Sequence, residues 1–154
     1  MTLTTMKRHY GLPIQACFLL GMLLPALPLS ARAVRIYVTN GAGDTVSVID
    51  PATNKVVQVI EGIEKPDSVD FSPDGRRVYI TNGSEYVVDV VDQKSGKIIK
   101  KVPLSAEPNT LAVTKDGGRL FVAIREGTDT GGLDVIDTTS LQRVRHIAMK
   151  GPHP

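Results

Sequence analysis

The stretch RVYITNGSEYVVDVVD, Arg77–Asp92, decides the fold of this chain. It holds two apolar runs, VYIT and VVDVV, rich in β-branched residues and separated by Asn82-Gly83-Ser84-Glu85. Runs of this length, bounded by Gly, Asn and Asp, read as short strands joined by a tight turn. Neither run alternates cleanly between apolar and polar. A strand covered on one side would do so, and the pattern predicts a sheet packed on both faces.

The same stretch occurs three times. RIYVTN at Arg35–Asn40 returns as RVYITN at Arg77–Asn82 and as RLFVAI at Arg119–Ile124, each time 42 residues on. TVSVID at Thr45–Asp50 returns as VVDVVD at Val87–Asp92 and GLDVID at Gly132–Asp137. FSPDG at Phe71–Gly75 returns as VTKDG at Val113–Gly117, and Pro66, Pro108 and Pro152 open matching segments. Only the third unit is longer, through the insertion Arg125–Gly132.

Four strands fit in the second unit, at Ser68–Ser72, Val78–Asn82, Tyr86–Asp92 and Lys97–Pro103. Asp74-Gly75 and Asp116-Gly117 are hairpin signals, with glycine supplying positive φ. Asp50, Asp92 and Asp137 stand where strands end, placed to accept turn N–H groups about two residues on. No apolar residues recur at helical spacing beyond the first thirty-three residues, so almost no helix is expected there. Four strands per unit with two apolar faces describe the blade of a β-propeller. The predicted fold class is all-β, with four-stranded antiparallel blades and 11 strands in all. A partial blade 1 covers 34–62, blade 2 covers 63–104, blade 3 covers 105–150, and a fourth begins at 151–154.

YVTN, YITN, SVIDPATNKVV and FSPDG resemble the YVTN-family β-propeller repeat of bacterial exported proteins. The resemblance covers residues 34–154 and implies a propeller of about seven blades, of which about three would be present. It implies no single function. Such proteins include surface-layer and periplasmic proteins, propellers accompanying quinoprotein oxidation systems and the cofactor domain of haem d1 nitrite reductases, and some other seven-blade propellers are lactonase-like hydrolases. With fewer than four blades the sequence reads as a truncated frame or as a piece that self-associates through open blade edges.

The N-terminus is built differently. Lys7 and Arg8 precede a thirteen-residue apolar stretch, Cys17–Leu29, and Ala31-Arg32-Ala33 offers a small-x-small cleavage pattern. This reads as a secretory signal at 1–33, cut after Ala33. The stretch falls short of a membrane span, and Pro25 and Pro28 interrupt it. No span is expected after cleavage, and the mature protein is expected in the periplasm or outside the cell.

Removing the signal changes the charge. The whole chain carries 18 Lys and Arg against 16 Asp and Glu. The 121 residues from Val34 keep 15 basic and all 16 acidic groups, a net charge of −1. A basic face for nucleic acid loses its support. The only cysteine, Cys17, also leaves, and with it any thiol nucleophile or Cys metal site.

Candidate site residues follow each blade-opening proline: Asp67, Asn109 and His153. The repeat places them around one mouth of a central channel, where a protein or a small ligand could bind. No serine lies in a nucleophile elbow and no His–Asp pairing can be read from the chain. His146 falls on an outer strand and reads as a half-buried strand residue. Asp129–Asp134 resembles a calcium loop only superficially and reads as a loop extension between two strands. Neither a catalytic set, a metal site nor a cofactor is assigned. The expected function is a non-catalytic binding scaffold, with the redox and hydrolase classes of the resemblance as alternatives.

N-terminal sequencing of the protein recovered from outside the cytoplasm should begin at Val34. A mature chain beginning at Met1 would contradict cleavage.

Overall fold

Strand β5 (Arg77–Asn82) shows why the chain folds as it does. Val78 and Ile80 point to one side of its sheet and Tyr79 to the other, and all three are fully buried. Strand β6 (Val87–Asp92) does the same, with Val91 on the first side and Val88 and Val90 on the second. A sheet buried on both faces needs a neighbour on each, as the sequence predicts.

The structure, a computed structural model, describes residues 34–125, 127 and 130–150. Every regular element among them is a β-strand. The predicted signal at 1–33 and the predicted opening of a fourth blade at 151–154 lie outside the described residues.

Eleven strands form three antiparallel sheets. The first sheet holds β1 (Ile36–Asn40), β2 (Thr45–Asp50) and β3 (Lys55–Glu61) in that order. The second holds β4 (Pro66–Phe71), β5, β6 and β7 (Ile98–Pro103), and the third β8 (Glu107–Val113), β9 (Arg119–Arg125), β10 (Thr130–Asp137) and β11 (Gln142–Lys150). The predicted three, four and four strands are all present.

Two cores lie between the sheets. Val46, Val48 and Ile60 of the first sheet, with Ile63 from the link that follows it, pack on Val78, Ile80 and Val91 of the second. On its other face the second sheet presents Tyr79, Val88, Val90 and Val102 to Leu111, Leu120, Val122, Ile124 and Ile136 of the third. Tyr37 and Phe71 meet edge to face, ring centroids 5.0 Å apart, and join the first two blades.

The backbone repeats down to its irregularities. Register shifts fall at Val48/Ile49, Val90/Val91 and Val135/Ile136, equivalent positions of the three blades. One extra residue bends a strand and increases its twist. Left-handed residues also recur, at Asn54, Gly96 and Leu141 before each outer strand. Gly75 (φ 67°) and Gly117 (φ 75°) supply the positive φ of the Asp-Gly turns.

Three sequence readings shift. Strand β4 begins at Pro66, not Ser68, and Ser72 belongs to the turn, where its hydroxyl donates to Asp74 (2.6 Å). Tyr86 precedes β6 and adopts φ 57°, so it closes the turn instead of opening the strand. Thr130, Gly131 and Gly132 are not loop: they lengthen β10, with Gly131 opposite Arg125 and Gly132 opposite Ile124. Glycine is required at 132 because the His146 ring lies where a Cβ would stand, 2.2 Å from it.

Ile80→Ala should cost about 2–5 kcal/mol by denaturant unfolding, because it opens a cavity in the first core. Ile99, exposed on β7, should tolerate alanine within about 0.5 kcal/mol.

Candidate functional site

The turns at each sheet end are closed by their own polar side chains. Ala52 N–H donates to Asp50 Oδ1 (3.0 Å), Ser95 N–H to Asp92 Oδ1 (2.8 Å), and Thr139 and Ser140 N–H to Asp137 Oδ1 (3.0 and 2.8 Å). The predicted role of these three aspartates as turn acceptors holds. The hydrogen bonds hold the Asp92 and Asp137 carboxyls below the usual range.

Inner strands β4 and β8 are stitched across the blade boundary. Leu111 N–H donates to Ser68 Oγ (3.3 Å) and Val113 N–H to Asp70 Oδ2 (2.8 Å). Thr39 Oγ1 donates to the Asp67 carbonyl (3.0 Å), and Thr81 Oγ1 lies 3.5 Å from the Asn109 carbonyl. Asp67 and Asn109 therefore occupy equivalent places, each held through its main chain by a threonine of the preceding blade. His153, the third predicted position, lies outside the described residues.

Asp67 lines a cavity of about 390 Å³ where the inner strands β4 and β8 begin, beside the β1–β2 turn of the first blade. Lys65, Glu107 and Arg125 line it too, with Gly41 and Gly83. Lys65 Nζ donates to Glu107 Oε1 at 2.8 Å, and Arg125 Nη1 stands 3.9 Å from the same oxygen. Lys65 draws the Glu107 carboxyl down, and Glu107 raises the lysine. The backbone is close-packed here: a Cβ on Gly83 would meet the Lys65 carbonyl at 3.1 Å, and one on Gly41 the Pro66 carbonyl at 3.3 Å, each tighter than an ordinary contact. Sequence reading found Asp67 but missed Lys65, Glu107 and Arg125. The available signal was that Lys65 and Glu107 occupy one repeat position with opposite charge.

A second cavity, of about 430 Å³, lies among the Asp-Gly turns. Arg77 Nη1 crosses it to donate to the Thr138 carbonyl (2.7 Å), and Arg76, Asp74 and Asp116 border it. Its carboxylates serve their own turns, as Arg76 N–H on Asp74 Oδ1 and Gly118 N–H on Asp116 Oδ1 show.

Two buried carboxylates face back toward the preceding blade. Asp134 accepts the Ser105 N–H (2.7 Å) and hydroxyl (3.0 Å) and His146 Nδ1–H (2.8 Å), with Arg143 at 3.3 Å. This pairing could not be read from the chain; His146 stands, as expected, on an outer strand with its side chain half-buried. Ser105 Oγ and Asp134 both lie on the Nδ1 side of the ring. A nucleophile relay needs them on opposite nitrogens, so the cluster ties a linker to two strands.

Asp89, at the equivalent place, accepts Asn82 Nδ2–H on Oδ2 (3.0 Å). Its other oxygen is buried without a hydrogen bond, with Lys101 Nζ 3.9 Å away. Burial raises its carboxyl above the ordinary range. Asn82 itself is fully buried, its amide committed to Asp89. Among the described residues no group of three His, Cys, Asp or Glu could hold a metal.

No protein-family model matches this chain, and no curated protein matches it. Solved structures do. A chain of Kuenenia stuttgartiensis hydrazine synthase superposes with TM-score 0.72 and 28% identity, over 78% of this chain and 34% of that one. Dihydro-heme d1 dehydrogenase NirN in complex with DHE superposes with TM-score 0.63 and 23% identity, over 80% of this chain and 26% of that one. The fold is thus that of β-propeller proteins, and the chain spans about a third or less of the length of these two.

A carboxyl whose folded value is raised favours the folded state when protonated and costs stability once ionised. The protein should therefore lose stability as pH rises through the Asp89 titration. Asp89→Asn keeps an acceptor for Asn82 and should flatten that loss in melting curves recorded across pH. An unchanged pH profile would show that Asp89 is not the group responsible.

Proposed function

We propose that this chain is a non-catalytic propeller scaffold that binds a ligand or a protein segment at the cavity of Lys65, Asp67, Glu107 and Arg125. The cavity itself carries the reading. It lies at the start of the inner strands, its walls come from three blades, and it brings two cations and two carboxylates to one opening. No nucleophile is paired with a base there, so the groups suit recognition better than bond cleavage. The export signal read in the sequence would place the scaffold in the periplasm or outside the cell.

The second reading is a redox propeller, and one observation favours it: both solved structures named above are redox enzymes in which a propeller matches this chain. An absorbance spectrum of the protein purified from its own host separates the two. The scaffold reading expects no visible absorption. A haem or quinone band that co-purifies in stoichiometric amount would overturn it.

A further inference from the structure

Lys65 is the unusual residue of the cavity. Its φ is +50°, a left-handed conformation that side-chain-bearing residues rarely adopt. The repeat does not demand it, because Glu107, one repeat later, has no positive φ. The conformation is fixed from both sides. Lys65 N–H donates to Asp44 Oδ1 (3.0 Å), and its carbonyl accepts Gly83 N–H (3.1 Å). Strained residues held by their surroundings concentrate where a side chain must be aimed.

The side chain is aimed at Glu107. Lys65 and Arg125 approach the same Glu107 oxygen, at 2.8 and 3.9 Å. Among the described residues neither cation has another carboxylate partner. Both are open to water, their side chains 62% and 49% exposed, while Glu107 is only 26% exposed. Exposed ion pairs contribute little to stability, so holding the fold together does not account for the arrangement. Two cations converging on one carboxylate form a site for an oxyanion, already filled by a side chain of the protein.

We propose that Lys65 and Arg125 bind the carboxylate or phosphate group of a small anionic ligand, and that Glu107 occupies the site until the ligand displaces it. This names the ligand class for the cavity assigned above and rests on that assignment. Charge-assisted donors from a lysine and an arginine suit either oxyanion. Asp67 lines the same cavity and disfavours a second negative group, so the ligand should be anionic at one end only. Because Glu107 competes, affinity in the native protein is modest, and neutralising Glu107 strengthens binding.

Isothermal titration of the full exported protein at low ionic strength tests this, with inorganic phosphate in one arm and acetate in the other. The arm that binds identifies the oxyanion. Glu107→Gln should tighten binding roughly tenfold, and Lys65→Met or Arg125→Met should weaken it by a similar factor. Added salt should weaken binding in the native protein and in Glu107→Gln. Melting temperatures of the three variants should stay close to the native value, since all three side chains reach solvent. If Glu107→Gln folds normally and binds neither anion, or binds no more tightly than native, the proposal fails. Equal affinity in folded Lys65→Met and Arg125→Met also overturns it. The absorbance spectrum judges the scaffold reading separately, so the two can fail independently.

Discussion

The structure depends on the two-sided burial of the second sheet. Val78, Ile80 and Val91 need the first blade, and Tyr79, Val88 and Val90 need the third. Burying one such side chain fully contributes about 1.5–3 kcal/mol, and most of that is lost if either neighbour is absent. A blade of this kind has little reason to fold alone. Stability is shared between neighbours, as in other repeat architectures where each unit contacts only the next.

This constraint decides where polar chemistry can go. The faces between blades exclude charge except where it is tied down, as Asp134 is by Ser105, His146 and Arg143. Asp89 has the same place with fewer ties, and burial raises its carboxyl accordingly. The remaining charged groups collect at the strand ends. At one end the Asp-Gly turns use them locally. At the other, Glu107 and Arg125 face each other across the β8–β9 pair of the third blade, and stacking brings Lys65 of the second blade to them.

The fold was legible because its signal is local and repeated. RVYITN and its two counterparts, and the Asp residues at strand ends, carry the strand count and the turns within short windows. Asp67 and Asn109 could be placed by repeat position alone, and the structure puts them at equivalent points. What escaped was pairing between distant residues. His146 meets Asp134 because of the β10–β11 register, and a single-residue bulge in that hairpin sets which side chains face each other. The early start of β10 was hidden for a related reason. Gly131 and Gly132 read as loop residues, yet Gly132 is in the strand to make room for the His146 ring.

Identical backbone positions that carry different side chains are the informative ones in a repeat. Where the units agree, as at Val78 and Leu120 or Val90 and Val48, the residues fill cores. Where they diverge, the shared backbone still brings them to the same ring, so the difference becomes an asymmetry at one location. Lys65 and Glu107 show this directly: the same repeat position carries opposite charges, and stacking turns the sequence offset of 42 into a 2.8 Å contact. Arg125 joins them where the first two blades have Gly41 and Gly83. The fold brings these positions together whatever they carry, Glu107 and Arg125 through the β8–β9 register and Lys65 through stacking, so the departures from the repeat decide the charge of one opening.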